Sequence, residues 1–410
     1  MKANVFSILM LAQGIAGHAI KRVPAEQSDA ACKSTGKVLY FITNDAVNSV
    51  VALPINSDGT LSAGTLTASG GNGSSSIDGT TQQPAGPDAL ASQSALTIAG
   101  QYIFAVNPGS NSLSMLSISK HDPTKLTLVG KPAPVPAEFP TTVAASSKNK
   151  LACVGATGKV AGITCASFSR KGLGAMDTLR SIDLGQTTPP VGPTNTVSHA
   201  FFSEDESTLF TMVKGDPTVN KTGFMSTLAV QQNTCGGAST ASVAPEDART
   251  SPNGTAVLFG SQVIPGTNNL FVTDASFGAA VLSVDAKTGQ ASVVRKQAID
   301  GQVATCWSAL APATGSVFVT DVAVPRVVEM SPKDASIISE IDLSAGGDSG
   351  FIDLKAAGDF LYVLSPGNGT GSAAVVVMDI SAGQGKSKTI QRFTLDGVAG
   401  KSSQGLAILE

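Results

Sequence analysis

The chain has 410 residues, of which 42% are hydrophobic and only 14% are charged, and its formal net charge is −3. Glycine (43) and proline (21) are abundant, which is typical of an all-β chain with many turns rather than of a helical or disordered one. The weak negative charge provides no basic stripe for nucleic acid. The three histidines leave little material for a histidine-rich metal site, so we expect no metal and no other cofactor.

The N-terminus has the pattern of a secretory signal peptide. Lys2 precedes an apolar run, residues 5–15, that ends in the small residues "AGHA". This run is too short to span a membrane, so we expect cleavage near Ala19, with a buried strand or helix as the alternative. No other segment is apolar enough to cross a bilayer, and we expect a secreted protein, extracellular or cell-wall associated. The predicted organisation is a signal peptide (1–19), a short N-terminal extension with a dibasic site at 21–22 (20–35), and a single folded domain (36–410).

Four N-x-[ST] motifs follow the leader, and a secreted chain of this kind is expected to carry glycans on some of them. The acceptors are Asn72, Asn220, Asn253 and Asn368.

Five cysteines also follow the leader, and secretion permits disulfides. In "ACVGATGKVAGITC" the apolar flanks surround a Gly-Lys turn, so a hairpin brings Cys153 and Cys165 close to opposite positions. We predict that these two pair. The odd count leaves at least one thiol free or intermolecular. Cys306 is interpreted as a small buried residue, and the pairing of Cys32, Cys235 and Cys306 stays open.

The chain contains an internal repeat, which decides the fold class. An apolar strand that ends in a polar or small residue recurs seven times. Its copies are "VLYFITN", "QYIFAVN", "NKLACVG", "TLFTMVK", "NNLFVTD", "GSVFVTD" and "DFLYVLS". A strand precedes each copy except the first and further strands follow, at intervals that suit a four-stranded propeller blade of about 40–50 residues with loop insertions. We predict an all-β, seven-bladed propeller with antiparallel blades.

The first copy lacks a preceding strand, and the chain ends in "QGLAILE", which has the same pattern as the missing strand. We therefore predict that residues 405–409 complete the first blade and close the ring, which removes an open sheet edge.

Antiparallel geometry places the loops before inner strands and after second strands on one face. The long, irregular loops all fall on this loop-rich face, where binding usually occurs on a rigid scaffold. Its predicted ligand-binding residues are Asn44, Asn107, Ser198, Lys214, Asp274, Trp307, Asp321 and Gln404. A polar residue at a strand end also commonly caps a turn, and Trp307 also suits a core position.

The repeats and several loops, including "GKPAPVPAEFPTTVAAS", "LGQTTPPVGPTNTVS" and "SPNGTAVLFGSQVIPGTNNLFVTDASFGAAVLSVD", resemble a known family. It is the secreted fungal branch of the seven-bladed lactonase propellers, whose members are described as 3-carboxymuconate cyclase-like. The resemblance implies a site at the channel mouth, where the intracellular enzymes of the family use a histidine, a glutamate and arginines on lactones and carboxymuconate.

The family's paired histidines have no match here. In the family the second histidine lies seven residues before the Asp of the following turn, and the first lies two residues earlier. Here that Asp is Asp205 in "SEDES", so the two positions are occupied by Ser198 and Thr196. Neither residue can supply imidazole acid–base chemistry. His199 is one residue beyond the position of the family's second histidine. Its side chain is therefore expected to point to the other face of the strand, unless a bulge turns it back toward the channel. Glu138 and Arg326 are matched to the family's glutamate and arginine by position alone.

The sequence therefore predicts a glycosylated β-propeller, expected to be a monomer, that acts by binding. Its expected partner is a small organic acid or lactone, or a component of a cell wall or host surface. The alternative is an extracellular lactonase or cycloisomerase, with Glu138, His199 and Arg326 as candidate catalytic residues.

Overall fold

A computed structural model describes residues 35–235, 238–367 and 371–410 of the chain. In this part of the chain, seven sheets of four antiparallel strands follow one another in sequence order. The predicted seven-bladed, all-β propeller is confirmed. The proposed signal peptide and most of the N-terminal extension lie outside the described residues, and no helix among those described is long and apolar enough to cross a membrane.

The strands of each blade are named inner, second, third and outer, counting from the central channel. From blade 1 to blade 7 the inner strands are Gln404–Leu409, Leu96–Ala99, Pro140–Ser146, Val197–Phe202, Leu258–Val263, Thr305–Ala311 and Ile352–Ala357. The second strands are Val38–Ile42, Tyr102–Asn107, Leu151–Ala156, Thr208–Val213, Asn269–Asp274, Ser316–Asp321 and Phe360–Ser365.

The third strands are, in the same order, Ser49–Pro54, Ser112–Ile118, Gly162–Ser169, Phe224–Cys235, Gly278–Val284, Arg326–Met330 and Ala374–Asp379. The outer strands are Thr65–Ala68, Leu126–Leu128, Gly172–Met176, Ala238–Val243, Ala291–Ala298, Ile337–Asp342 and Lys388–Thr394. Short additional strands are Ile77–Asp78, Ala133–Pro134, Arg180–Ser181, Val191–Gly192 and Ala248–Thr250. The 3₁₀ turns are Pro108–Ser110, Pro217–Val219 and Ser344–Gly346.

The second strands are buried on both faces because each blade packs between two others. Every residue of Val38–Ile42 and of Phe360–Ser365 is buried, so these strands are nearly continuous apolar runs instead of alternating patterns. The outer strand Ala291–Ala298 is mostly exposed. The hydrophobic core consequently lies between blades, as in the cluster of Phe210, Met212, Leu258 and other residues between blades 4 and 5.

The ring closes as predicted. Gln404–Leu409 pairs with Val38–Ile42, so that Leu409 lies opposite Val38 and Ile408 lies opposite Leu39. The first blade is therefore built from both ends of the domain.

The predicted disulfide is also present. Cys153 and Cys165 lie opposite each other on the second and third strands of blade 3 and are bonded. Cys306 is a free, buried thiol. Cys32 and the side chain of Cys235 are outside the described part of the structure.

Candidate functional site

The long loop before blade 2 ends in a segment that enters the central channel. This segment, residues 88–94, is called the plug. Gln93 is fully buried; its Nε2 donates to the carbonyl oxygen of Ser308 at 2.8 Å, and its N–H donates to the carbonyl oxygen of Ser198 at 2.7 Å. The Ser92 hydroxyl donates to the carbonyl oxygen of Thr141 at 2.7 Å. The plug thus joins the inner strands of blades 3, 4 and 6 across the channel.

Backbone conformations in the plug are unusual. Asp88, Ala91 and Ser94 have φ values of 67°, 52° and 64°, in the left-handed region that residues other than glycine seldom adopt. Such conformations persist only where surrounding contacts impose them, and they concentrate at functional sites.

A cavity of about 520 Å³ opens on the loop-rich face between the plug and blades 4, 5 and 6. Its wall is mostly apolar, and the proline and aromatic members include Pro84, Pro87, Pro193 and Phe259. The titratable side chains in the wall are Asp78, Asp88, Lys214 and Cys306. A largely apolar wall with a few polar groups is typical of a small-molecule site.

Lys214 follows the second strand of blade 4 and is only 2% exposed. Its Nζ donates to the carbonyl oxygen of Ala91 at 2.8 Å and lies 4.5 Å from the centre of the Phe259 ring. No carboxylate among the described residues forms an ion pair with it. Burial lowers the pKa of Lys214 to about 8, and electrostatic interaction with Asp88 and, secondarily, with Cys306 opposes that shift.

Asp88 is the acidic group of the plug. Its Oδ1 is buried without a hydrogen-bond partner among the described residues. Burial raises the pKa of Asp88 to about 6, although the Lys214 cation, the backbone N–H groups of Ala91 and Ser92 and the Gln404 side chain act in the opposite direction. Gln404 approaches Asp88, yet neither amide atom of Gln404 completes a hydrogen bond of good geometry. A buried acceptor left unpaired is costly, so Oδ1 is available to a donor on a ligand.

Cys306 is the fourth titratable side chain in the cavity wall. Burial raises the pKa of its thiol well above the ordinary value. The thiol is therefore protonated at neutral pH and is a poor nucleophile.

His199 lies in the interface between blades 4 and 5. The strand pairing shifts register between Val197 and His199, and His199 Nδ1 accepts a hydrogen bond from the N–H of Ser261 at 3.2 Å. The imidazole stacks on Phe201 with 4.8 Å between ring centres. Burial, and secondarily the Lys355 cation, hold its pKa well below 6.5. A neutral, buried imidazole with one nitrogen already bonded to a neighbouring blade is poorly suited to proton transfer with a ligand.

The two positions where the family keeps its histidines have structural contacts. Ser198 Oγ hydrogen-bonds to the carbonyl oxygens of Met212 and Leu258 at 3.1 and 2.8 Å. Thr196 Oγ1 donates to the carbonyl oxygen of Pro193 at 2.9 Å. Both hydroxyls therefore tie the start of the inner strand to its surroundings.

Glu138 and Arg326 form no hydrogen bond with His199 among the described contacts, and neither residue lines the cavity. Glu138 Oε2 accepts a hydrogen bond from the Thr188 hydroxyl. Arg326 Nη1 pairs with Glu340 Oε2 at 2.8 Å, and Nη2 donates to the carbonyl oxygen of Asp300 at 2.6 Å. The three candidate catalytic side chains are thus in three separate environments.

The two predicted aspartates cap loops. Asp274 accepts hydrogen bonds from the N–H groups of Ala256 and Val257, and Asp321 accepts from those of Val303 and Ala304. The remaining members, Asn44, Asn107 and Trp307, are buried and bonded to neighbouring loops, and Trp307 Nε1 donates to the Ser92 carbonyl oxygen of the plug at 3.1 Å. Of the eight predicted residues, Lys214 is the one that lines the cavity.

Sequence reasoning missed Asp88 and Phe259. The available signal was the end of the long loop, "ALASQ", whose small, uncharged residues are unusual for a surface loop.

The three described glycosylation acceptors, Asn72, Asn220 and Asn253, are exposed on the loop-rich face, while Asn368 lies outside the described residues.

Comparison with known proteins gives a structural but not a sequence relationship. No family model matches the chain, and no curated protein matches its sequence. The periplasmic gluconolactonase of Pseudomonas aeruginosa is 13% identical with a TM-score of 0.64, over 91% of this chain and 99% of that chain. A candidate 6-phosphogluconolactonase of Bacteroides fragilis is 12% identical with a TM-score of 0.57, over 92% and 98%. At such identities the similarity shows the fold alone: the chain is a seven-bladed propeller similar in architecture to solved lactonase-like propellers.

Proposed function

We propose that the protein binds a small organic acid or lactone in the cavity between the plug and blades 4, 5 and 6. It then acts through binding rather than through acid–base catalysis by a histidine. We further propose that it belongs to the secreted fungal branch of the lactonase propellers, as a glycosylated monomer. The observation that carries the binding role is Lys214, a buried cation in an apolar cavity that no carboxylate of the described residues neutralises by direct contact.

The cavity groups suit a ligand that has both an acceptor and a donor. A carboxylate or a lactone carbonyl accepts a hydrogen bond from Lys214, and bonds to a charged donor are among the stronger ones. A ligand hydroxyl donates to the unpaired Oδ1 of Asp88. The apolar wall, with Phe259 beneath the ammonium group, covers the carbon skeleton. This arrangement favours a compact acid or lactone over a polymer.

The binding role is favoured over catalysis because His199, Glu138 and Arg326 lie apart and each is engaged elsewhere. The alternative remains an extracellular lactonase or cycloisomerase. It is supported by the lactonase names of proteins with the same fold and by the nearness of an acid, Asp88, and an amine, Lys214, with shifted pKa values.

The test is calorimetric titration with a panel of small lactones and their open-chain acids, while ring opening is followed by NMR. We expect the wild-type chain to bind at least one compound without converting it, and Lys214→Met to weaken that binding at least about tenfold through the lost charged hydrogen bond. Lys355→Met is the matched control, because Lys355 does not line the cavity. Turnover that His199→Gln abolishes would contradict the proposal.

A surface or wall role is tested separately by fractionation. We expect the secreted protein to distribute between medium and wall and to migrate faster after glycosidase treatment. Retention inside the cell without glycans would exclude this part of the proposal and leave the ligand-binding part standing.

A further inference from the structure

Lys214 has a property that ligand binding alone does not require. The residue is 2% exposed and lines a largely apolar cavity, and its amine donates a hydrogen bond to the carbonyl oxygen of Ala91. Desolvation in an apolar pocket is one of the established ways in which a protein activates a lysine as a nucleophile. The cavity, at about 520 Å³, leaves room beside the amine for a small molecule.

Asp88 supplies the second requirement, a proton source in the same cavity wall. Its Oδ1 has no partner among the described residues, and burial of the carboxyl group raises its pKa to about 6. A carboxyl group of this kind changes protonation state near neutral pH, as general acid catalysis requires.

We infer that Lys214 condenses with a small aldehyde or ketone in the cavity to form an imine. This inference rests on the proposed function, because it uses the same cavity and assigns the bound molecule a reactive carbonyl group.

The reaction balances without an oxidant or a reductant. The Lys214 nitrogen lone pair forms a bond to the carbonyl carbon, and a proton moves from nitrogen to the carbonyl oxygen to give a carbinolamine. Asp88 then protonates the hydroxyl group, the carbon–oxygen bond breaks, and water leaves as the C=N bond forms. The proton lost from nitrogen restores the acid form of Asp88, so amine and carbonyl compound give imine and water.

The cavity also explains why this lysine differs from surface lysines. At about pH 7 an amine with a pKa near 8 is neutral more often, by a factor on the order of a hundred, than one with an ordinary pKa. Burial of the amine lowers its pKa to this value, and the two titratable groups near it, Asp88 from the plug and Cys306 from the inner strand of blade 6, oppose the shift.

The test is reductive trapping with benzaldehyde and cyanoborohydride near neutral pH, followed by peptide mapping. Benzaldehyde suits the apolar wall and carries no charge. We expect Lys214 to be benzylated at least about tenfold faster than the exposed Lys148 and Lys401, with a rate that levels off above about pH 8. Lys214→Arg should remove this label, and Lys355→Arg should leave it unchanged. The melting temperature of each variant checks that the chain is folded.

The outcomes separate this inference from the proposed function. Binding of lactones or acids without preferential labelling of Lys214 overturns the imine and leaves the binding role intact. Neither binding nor labelling overturns both. Labelling of all lysines at similar rates shows that Lys214 is not activated and also overturns the inference.

Discussion

His199 is a catalytic candidate by its sequence position, and the structure places its imidazole in the buried interface between blades 4 and 5. Its place beside the family's histidine positions was visible in the sequence, and the expected packing toward a neighbouring blade matches its hydrogen bond with Ser261. The bulge before it was foreseen only as a possibility, because a register shift depends on the pairing of two strands. The imidazole stabilises an interface between blades.

Burial of His199 makes stability depend on pH. Its pKa is near 6.5 in the unfolded chain and well below that in the folded one, so below pH 6.5 protons bind preferentially to the unfolded state and the free energy of unfolding falls. His199→Gln lacks this titration. Between about pH 7.5 and about pH 5, the stability advantage of wild type over the variant should shrink by up to about 2 kcal/mol.

Urea denaturation at several pH values measures this difference. An advantage that stays constant or grows toward acid pH would mean that His199 is protonated in the folded protein, and the neutral-imidazole interpretation would then be wrong.

Lys214 and Asp88 show the limit of sequence reasoning at the residue scale. Lys214 was predicted because it ends a second strand on the loop-rich face. Asp88 was not, because its role depends on a loop that folds back into the channel. The small, uncharged residues of "ALASQ" mark the loop as unusual, but they do not specify which strands it contacts.

The plug, residues 88–94, occupies the central channel, which would be open without it. Gln93 makes two hydrogen bonds to the backbone of Ser308: its Nε2 donates at 2.8 Å, and its Oε1 accepts at 3.3 Å. Its amide is fully buried. Both bonds join the plug to blade 6 across the channel.

Removing the Gln93 amide should therefore loosen the plug. We expect Gln93→Ala to lower the free energy of unfolding by about 2 kcal/mol and to speed hydrogen exchange of the amides in residues 88–94. Gln262→Ala is the matched control, because Gln262 donates to the same Ser308 carbonyl oxygen from blade 5. Equal exchange in wild type and Gln93→Ala would show that the loop is held by other contacts.

The Cys153–Cys165 disulfide is the element-scale feature that the sequence predicted most directly. A turn centre between apolar flanks was enough, since hairpin pairing places the two residues opposite each other. Chain-entropy estimates for a loop of this length give about 3 kcal/mol, so Cys153→Ala with Cys165→Ala should lower the denaturation midpoint. Cys306→Ala keeps the bridge and serves as the control. A midpoint insensitive to both reductant and the double substitution would contradict this role.

The whole molecule was the most predictable level. Seven copies of one strand pattern and a matching C-terminal segment specify a closed propeller, because each blade needs neighbours on both sides to bury its second strand. The positions of side chains on the loop-rich face were less predictable. The polar strand ends Asp274 and Asp321 cap turns, whereas Lys214 lines the cavity, and strand position alone does not separate a cap from a ligand contact.

Closure by the C-terminal strand leads to a prediction for the whole domain. Deleting residues 405–410 removes nearly all of the inner strand of blade 1 and exposes the edge of Val38–Ile42. We expect the truncated chain to aggregate or to lose its cooperative thermal transition. Deletion of Glu410 alone should have little effect. A truncated chain with an unchanged melting temperature would contradict closure by this strand.

The central claim is that the cavity beside Lys214 and Asp88 is a binding site and that His199 is not catalytic. The most direct measurement is a crystal structure of the protein with the tightest-binding lactone of the panel. We expect an intact ring in the cavity between the plug and blades 4, 5 and 6, with its carbonyl oxygen within hydrogen-bond distance of Lys214 Nζ. A ring-opened product beside His199, or an empty cavity with the ligand bound elsewhere, would contradict the account.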